Sequence, residues 1–205
     1  MKKNFNIRIL TDRYECLPVG TDSMNELDIG CGKGGFTCAL ASRYPDRRIF
    51  AADIMLGRLR KLGSRMERTG ISNITLLRTD VWALAAYVLP DISFDRVHIL
   101  CPDPWPKDRH RANRLLSSEF IGRLLRILKP DGVIHFATDD VNYFSSATEL
   151  FSQNKSYTRD DSSISDLTDI KSDFEIKWES EGTMVAHSGW RKAEVIATEA
   201  QRHKV

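Results

Sequence analysis

The 205-residue chain has little of what would set it outside the ordinary globular classes. Its four cysteines, Cys16, Cys31, Cys38 and Cys101, lack metal-ligand spacing and are too few for a disulfide-stapled scaffold. No metal site is expected, and a reducing cytoplasm is the natural home. No long apolar run follows the Met-Lys-Lys start, so neither a signal peptide nor a membrane span is expected. Net charge is only +2, so nucleic-acid binding would have to come from a local patch, not from a globally basic surface. Internal repeats and low-complexity tracts are missing too.

What remains is a soluble composition, 41% hydrophobic and 28% charged, of a length that suits one domain over residues 1–205. Short apolar runs alternate with helical patterns. Strands are expected at Glu26–Ile29, Arg48–Asp53, Ile74–Leu77, Phe94–Cys101 and Gly132–Thr138. Helices are expected at Gly34–Tyr44, Leu56–Thr69, Trp82–Leu89, Ser118–Leu128 and Val141–Gln153. This rhythm implies an α/β fold with a mainly parallel sheet covered on both faces. Residues 1–24 read as an irregular arm in which Phe5, Ile7, Ile9 and Leu10 could pack as a strand. The polar stretch Asn154–Lys171 reads as a mobile loop. A helix at Glu175–Glu181 and a strand at Met184–Trp190, returning to the sheet edge, complete the domain before a frayed tail after Ala197.

Two segments carry chemistry. Leu27-Asp28-Ile29-Gly30-Cys31-Gly32-Lys33-Gly34-Gly35 follows a strand and opens a helix. Gly30, Gly32 and Gly35 fit a dinucleotide fingerprint, whereas Gly30, Gly32 and Gly34 fit the loop of S-adenosylmethionine enzymes. Asp28 tilts the choice, because a carboxylate there suits an ammonium and a sulfonium better than a pyrophosphate. Asp53 ends the second strand, where an acid can hold ribose hydroxyls, and Asp80 ends the third, where one can face an adenine amino group. Each acid could equally be a helix cap. A phosphate-hydrolysing loop is disfavoured, since no lysine-serine pair follows the glycines.

The second segment is Cys101-Pro102-Asp103-Pro104-Trp105-Pro106-Lys107, continuing to Arg109, His110, Arg111 and Arg114. Three prolines stiffen the backbone around an acid and an indole. The cations that follow suit phosphates. A proline-rich turn with a solvated basic flank is the plain alternative. Arg58, Lys61, Arg65 and Arg68 share a helix face that reads as solvated.

Together these residues resemble the TrmB-type tRNA (guanine-N7)-methyltransferases. The resemblance rests on L-D-I-G-C-G-K-G (27–34), P-D-P-W-P-K-D-R-H (102–110), Arg114-Leu115, Thr138-Asp139 and S-D-F-E (172–175), in matching order over about residues 26–191. It implies a Rossmann-like class I methyltransferase fold, S-adenosyl-L-methionine as cofactor, and tRNA as partner, methylated at N7 of the variable-loop guanine. It further implies a cofactor pocket of Asp28, Gly30, Gly32, Gly34, Asp53, Asp80 and Asp103, with Asp103 also catalytic. Lys107, Asp139 and Ser172–Glu175 are implied as substrate contacts, and Arg109, Arg111 and Arg114 are read beside them. The chain departs from the family at Asp28 and Asp53, where glutamate is usual, at Asn113 in place of an arginine, at Ser172 in place of threonine, and in its short N-terminal arm.

Guanine N7 is an unprotonated acceptor on the Hoogsteen edge, so attack on a sulfonium methyl needs no general base. Catalysis then rests on positioning and electrostatics. Asp139 and Glu175 could accept from guanine N1–H and the N2 amino group. Ser172 and Glu175 also spell a helix capping box. Three rivals stay open at this point: methylation of an exocyclic base amine, a non-catalytic RNA-binding paralogue, and a nicotinamide oxidoreductase.

Overall fold

A computed structural model describes the protein over residues 5–10 and 16–193, apart from the side chains of Asp108 and Arg111. Much of the N-terminal arm and the tail after Ala197 lie outside the described residues. In chain order the elements are β1 (Ile7–Ile9), β2 (Asn25–Ile29), α1 (Gly35–Arg43), β3 (Arg48–Asp53), α2 (Leu56–Thr69), β4 (Ile74–Arg78), α3 (Val81–Ala83), β5 (Phe94–Leu100), α4 (Ser118–Ile127), β6 (Leu128–Thr138), α5 (Val141–Gln153), β7 (Tyr157–Arg159), α6 (Asp173–Ser180) and β8 (Ala186–Lys192). They form one sheet in the order β1-β4-β3-β2-β5-β6-β8-β7. β1 to β6 are parallel, and β8 runs antiparallel to both β6 and β7. The antiparallel return therefore lies one strand inside the edge, because β7 covers it.

Period-two alternation in the strands feeds two cores. Leu27, Ile29, Phe50, Ala52, Val97, Ile99, Ile134 and Phe136 pack under α4 and α5. Ile49, Ala51, Leu76 and Val133 pack under α1 and α2 with Phe36, Leu40 and Leu62. Two expectations change. Trp82–Leu89 is not one α-helix: α3 gives way to a π turn over Leu84–Val88, with the Leu89 amide donating to the Leu84 carbonyl at 3.1 Å. Nor is 154–171 a loop. It holds β7 and a 3-10 helix over Asp161–Leu167, and Ile164, Leu167 and Ile170 are buried in the second core. Those residues recur every three positions, the repeat of a 3-10 helix, so a search at period 3.6 passes over them.

The second face also buries charge. Glu26 is wholly enclosed in β2. Its Oε1 accepts from Arg47 Nη1 at 2.5 Å and Arg96 Nη2 at 3.1 Å, while Oε2 meets His98 Nε2 at 2.8 Å. Burial is the strongest single influence and pushes its pKa up. The His98 hydrogen bond and charge, then Arg96 and Arg47, outweigh it and bring the carboxyl down to about 2. A carboxyl depressed in the fold stabilises above its unfolded value and loses that contribution as pH falls through its folded value. Acid unfolding should therefore draw on Glu26 between about pH 4.5 and 2, a contribution of about 3 kcal/mol. Glu26→Gln should lower stability at pH 7 and flatten the acid limb of a denaturation series. An acid limb unchanged from the parent would assign that sensitivity to other groups.

Candidate active site

Strand order reverses between β2 and β5. β2 leads outward through β3 to β4, and β5 leads outward through β6. Open α/β sheets bind ligands at the carboxyl ends of strands flanking such a reversal. The chain leaves β2 into the glycine loop and leaves β5 into the Cys101–Lys107 turn, so two motifs some seventy residues apart in sequence meet at that crevice.

The glycine loop divides its work. Gly30 and Gly32 have left-handed φ of 76° and 59°, and a Cβ on either would meet no heavy atom within 3.8 Å. Gly34, also left-handed, does something else: a Cβ there would lie 2.2 Å from Leu62 Cδ1, so it permits α1 to pack on α2 and does not line the cavity. Gly35 does line it. That cavity has a volume of 290 Å³ and is bounded by Asp28, Gly30, Cys31, Gly32, Phe36 and Arg58, with residues of α6 opposite.

The three strand-end acids differ in availability. Asp28 is buried and accepts from Thr37 Oγ1 at 2.6 Å. Burial pushes its pKa up to about 6 against the pull of Thr37 and His98, with Asp53 adding to the rise. Asp53 accepts from the Gly32 amide at 3.1 Å and the Met55 amide at 2.7 Å, and faces Arg58 Nη1 at 3.4 Å. It therefore braces the loop as well as facing a cavity. Asp80 caps α3 through Oδ1, which accepts from Trp82 and Ala83, and it borders the neighbouring cavity.

That second cavity, of 390 Å³, lies between Asp53, Asp80, Asp103, Trp105, Asp139 and Phe174. Asp103 is exposed and Asp139 half-buried, and neither has a hydrogen bond or ion pair among the described residues. Cys101 and Trp105 flank the Pro-Asp-Pro turn with left-handed φ of 51° and 43°. Non-glycine residues held there store about 1–3 kcal/mol each. Trp105 is 37% exposed and meets His110 edge-on at 5.7 Å, so it is a rim residue and not a core aromatic. Burial pushes the Cys101 thiol up to about 12, so it stays protonated at neutral pH and is no nucleophile.

Among the expected phosphate contacts, Lys107 and Arg109 are exposed beside the turn. The side chain of Arg111 lies outside the described residues. Arg114 has another task. Its Nε donates to the Pro104 carbonyl at 2.8 Å, Nη1 donates to Ser146 at 3.0 Å, and the guanidinium lies over the Tyr143 ring at 4.7 Å. It is tied into the fold and clamps the turn, which corrects its reading as a free phosphate contact.

α6 roofs both cavities. Ser172 and Glu175 form the expected capping box, with Ser172 Oγ accepting from the Glu175 amide at 3.1 Å and Glu175 Oε2 from the Ser172 amide at 3.3 Å. Glu175 is buried, and its Oε1 lies 3.0 Å from His187 Nε2. Asp173 pairs with Arg65 at 3.1 Å and fits only because position 35 is glycine: a Cβ there would lie 2.6 Å from Asp173 Oδ1. Phe174 stacks on Trp178 at 5.4 Å, and both face the second cavity. Sequence reasoning missed Arg58, which borders both cavities, and the Phe174/Trp178 pair. The four-residue spacing of those aromatics on a helix was the available signal.

The residues suit S-adenosylmethionine. A buried carboxyl with spare acceptor capacity lies by a cavity walled by Phe36, Leu100 and Phe174 as well as by charged residues, two glycines hold the loop open above it, and Asp53 and Asp80 stand further along the same edge. Among the described residues, no cluster of histidine, cysteine or carboxylate side chains could hold a metal ion.

A family model described as putative methyltransferase matches residues 22–188. A tRNA (guanine-N(7)-)-methyltransferase of Neisseria meningitidis serogroup A is 34% identical over 174 residues, 83% of this chain and 71% of that protein. One from Syntrophotalea carbinolica is 37% identical over 131 residues, 64% of this chain, and the match spans little more than half of that protein, 56%. In structure the chain is similar to the 16S rRNA methyltransferase KamB, with a TM-score of 0.60 at 16% identity over 83% of this chain and 88% of that one. TrmN from Thermus thermophilus gives 0.58 at 18% identity, covering 83% and 44%. The fold is that of Rossmann-like class I methyltransferases, and the chain belongs to the TrmB-type tRNA (guanine-N7)-methyltransferase family.

Proposed function

We propose that the protein methylates N7 of a guanine in tRNA, with the variable-loop guanine as target. One observation carries this reading: the two cavities share Gly30, Arg58, Leu100 and Phe174, so a donor that starts against Asp28 and runs past Asp53 and Asp80 into the second cavity adjoins a base at its Asp103 and Asp139 end. The donor is S-adenosylmethionine, which supplies an electrophilic methyl on a sulfonium. Asp28 and Asp53 hold its cationic and ribose ends, and Asp80 stands where its adenine amino group lies. Asp103, unpaired among the described residues, faces the charge that moves from donor to purine. Asp139 accepts from the guanine edge, whereas Glu175, read from the sequence as a second such acid, is buried with its oxygens on the Ser172 amide and His187 and lines no part of that cavity. Lys107 and Arg109 meet phosphates, with Arg111 beside them in sequence. Incubation with labelled S-adenosylmethionine and undermodified tRNA, followed by nucleoside identification, tests this directly. A product methylated on an exocyclic amine would replace the N7 assignment.

Asp103→Ala should cut turnover at least a hundredfold with tRNA affinity within threefold, as expected for a group that acts on the reacting atoms. Turnover within threefold of the parent would make Asp103 structural.

Asp28 has a raised folded pKa, so its ionised form costs stability as pH rises through about 6. Asp28→Asn should stabilise the ligand-free fold at pH 7.5 by up to about 3 kcal/mol while weakening S-adenosylmethionine binding at least tenfold. S-adenosylhomocysteine, which lacks the sulfonium charge, should lose less. Equal losses for the two ligands would remove the charge argument.

Neutralising Lys107 and Arg109 together should weaken binding of different tRNAs alike and make the salt slope shallower by roughly one unit per lost contact. Arg114→Ala should instead lower the melting temperature and turnover with the salt slope kept. The division fails if the two variants behave alike in a salt titration.

A further inference from the structure

Five side chains on the α1/α2 side of the sheet form an unbroken hydrogen-bonded chain across four neighbouring strands and into α6. Glu26 Oε2 lies 2.8 Å from His98 Nε2, and His98 Nδ1 lies 3.2 Å from His135 Nδ1. His135 Nε2 is 2.9 Å from His187 Nδ1, and His187 Nε2 is 3.0 Å from Glu175 Oε1. The register explains the continuity, since His98 pairs with His135 directly between β5 and β6. His98 and His135 are fully buried, as is Glu26, and Glu175 is nearly so.

Counting protons gives a result that no pairwise contact shows. Each link needs one proton between two acceptors, and there are four links. Three neutral imidazoles bring three protons, because each has one donor and one acceptor nitrogen. Two ionised carboxylates bring none. With only three protons, one link would set two lone pairs against each other about 3 Å apart in the interior, which costs a full unsatisfied contact. The chain closes only with a fourth proton, carried either by a ring as imidazolium or by Glu175 as a neutral carboxyl, since Arg47 and Arg96 hold Glu26 ionised.

We propose that this relay holds one excess proton, and that His187 thereby acts as a positioning residue that fixes Glu175, and with it the first turn of α6, against the sheet. The proton belongs to the set and not to one ring. With the charge on His98, protons sit on His98 Nε2 and Nδ1, His135 Nε2 and His187 Nε2. With the charge on His187, they sit on His98 Nε2, His135 Nδ1 and both nitrogens of His187. Burial drives the His135 pKa well down, with His98, His187 and Arg96 pushing the same way, so the charge resides at the ends. At the inner end Glu26 already has Arg47 and Arg96, the latter also paired with Asp166. At the outer end the groups around His187 are Glu175 and the Lys171–Glu179 pair, beyond which lies Asp139 near Cys101. That pair balances itself, so the excess charge is shared between the two terminal rings, His98 facing Glu26 and His187 facing Glu175. The result is a buried acid held from one side by the His187 ring and from the other by the Ser172 amide, with the roof of both cavities fixed to the sheet. The link to tRNA binding rests on the methyl-transfer reading; the proton count does not.

Histidine side-chain ¹⁵N spectra of the ¹⁵N-labelled full chain test the count, with only five histidines to assign. At pH 7 the signals of His98, His135 and His187 should sum to one imidazolium. In Glu175→Gln the amide can donate to His187, every link closes with neutral rings, and the sum should fall to zero. Glu26→Gln should do the same from the other end, which covers failure of either variant to fold. A sum of zero in the parent, or one unchanged in the folded variant, overturns the proposal. For positioning, His187→Ala should raise KM for tRNA about tenfold with kcat within threefold, and His187→Gln, which supplies an uncharged donor to Glu175, should restore most of it. A glutamine variant no better than the alanine variant overturns the positioning role. A parent that methylates no tRNA overturns the methyl-transfer reading alone, because the spectra still read the proton count.

Discussion

The parallel pairing of β2 with β5 is the constraint on which the rest depends. It reverses the strand order, opens the crevice, and brings the glycine loop beside the Pro-Asp-Pro-Trp turn. It also places Glu26 opposite Arg96 and Asp28 opposite His98. The registration that builds the binding edge thus lines up the buried polar residues behind it. Slipping the pair by one residue would turn Asp28 and Glu26 into the apolar core under α4 and α5 and leave Leu27 and Ile29 facing charge.

Function and stability pull in opposite directions along this strand. Asp28 is an acid kept in a dry place with Thr37 as its one built-in donor, and the fold bears its desolvation; under the methyl-transfer reading a cationic ligand supplies the rest. Two residues earlier, Glu26 is an acid in equal isolation that the fold has matched with three donors. Neither would be an obvious choice for the middle of a sheet. The difference between them is which partners are built in and which must come from outside.

Much of this was legible in the sequence. The βα rhythm gave β3, α2 and α5 to the residue, because each is bounded by a turn residue or cap and has a clean period. Asp28, Asp53 and Asp80 could be placed at strand ends from spacing, Asp103 stood out within its proline-rich turn, and Asp139 entered only through the family resemblance. Other features were out of reach because they depend on distant contacts. Arg114 reads as one more cation in a basic run until the Pro104 carbonyl and Tyr143 ring lie beside it. Gly34 reads as a cofactor glycine until Leu62 fills the space its side chain would need. The segment 154–171 hid its apolar residues at a period of three within a polar composition. His98, His135 and His187 are scattered singly over ninety residues, and only the ladder register brings them into line.

The left-handed backbone at Cys101 and Trp105 has a consequence for how the molecule breathes. Two strained residues bracket a turn that makes no strand pairing past the Cys101 amide, which donates to the Ala137 carbonyl at 2.7 Å, and the Arg114 guanidinium holds it at Pro104. Such a segment belongs to the low end of the local-opening spectrum, while the sheet beneath it opens only with global unfolding. Amide exchange along the chain would then rise steeply over the few residues from Leu100 to Trp105. The acid proposed to face the reacting atoms would ride on the part of the structure that opens most readily, with the sheet beneath it to set where it returns.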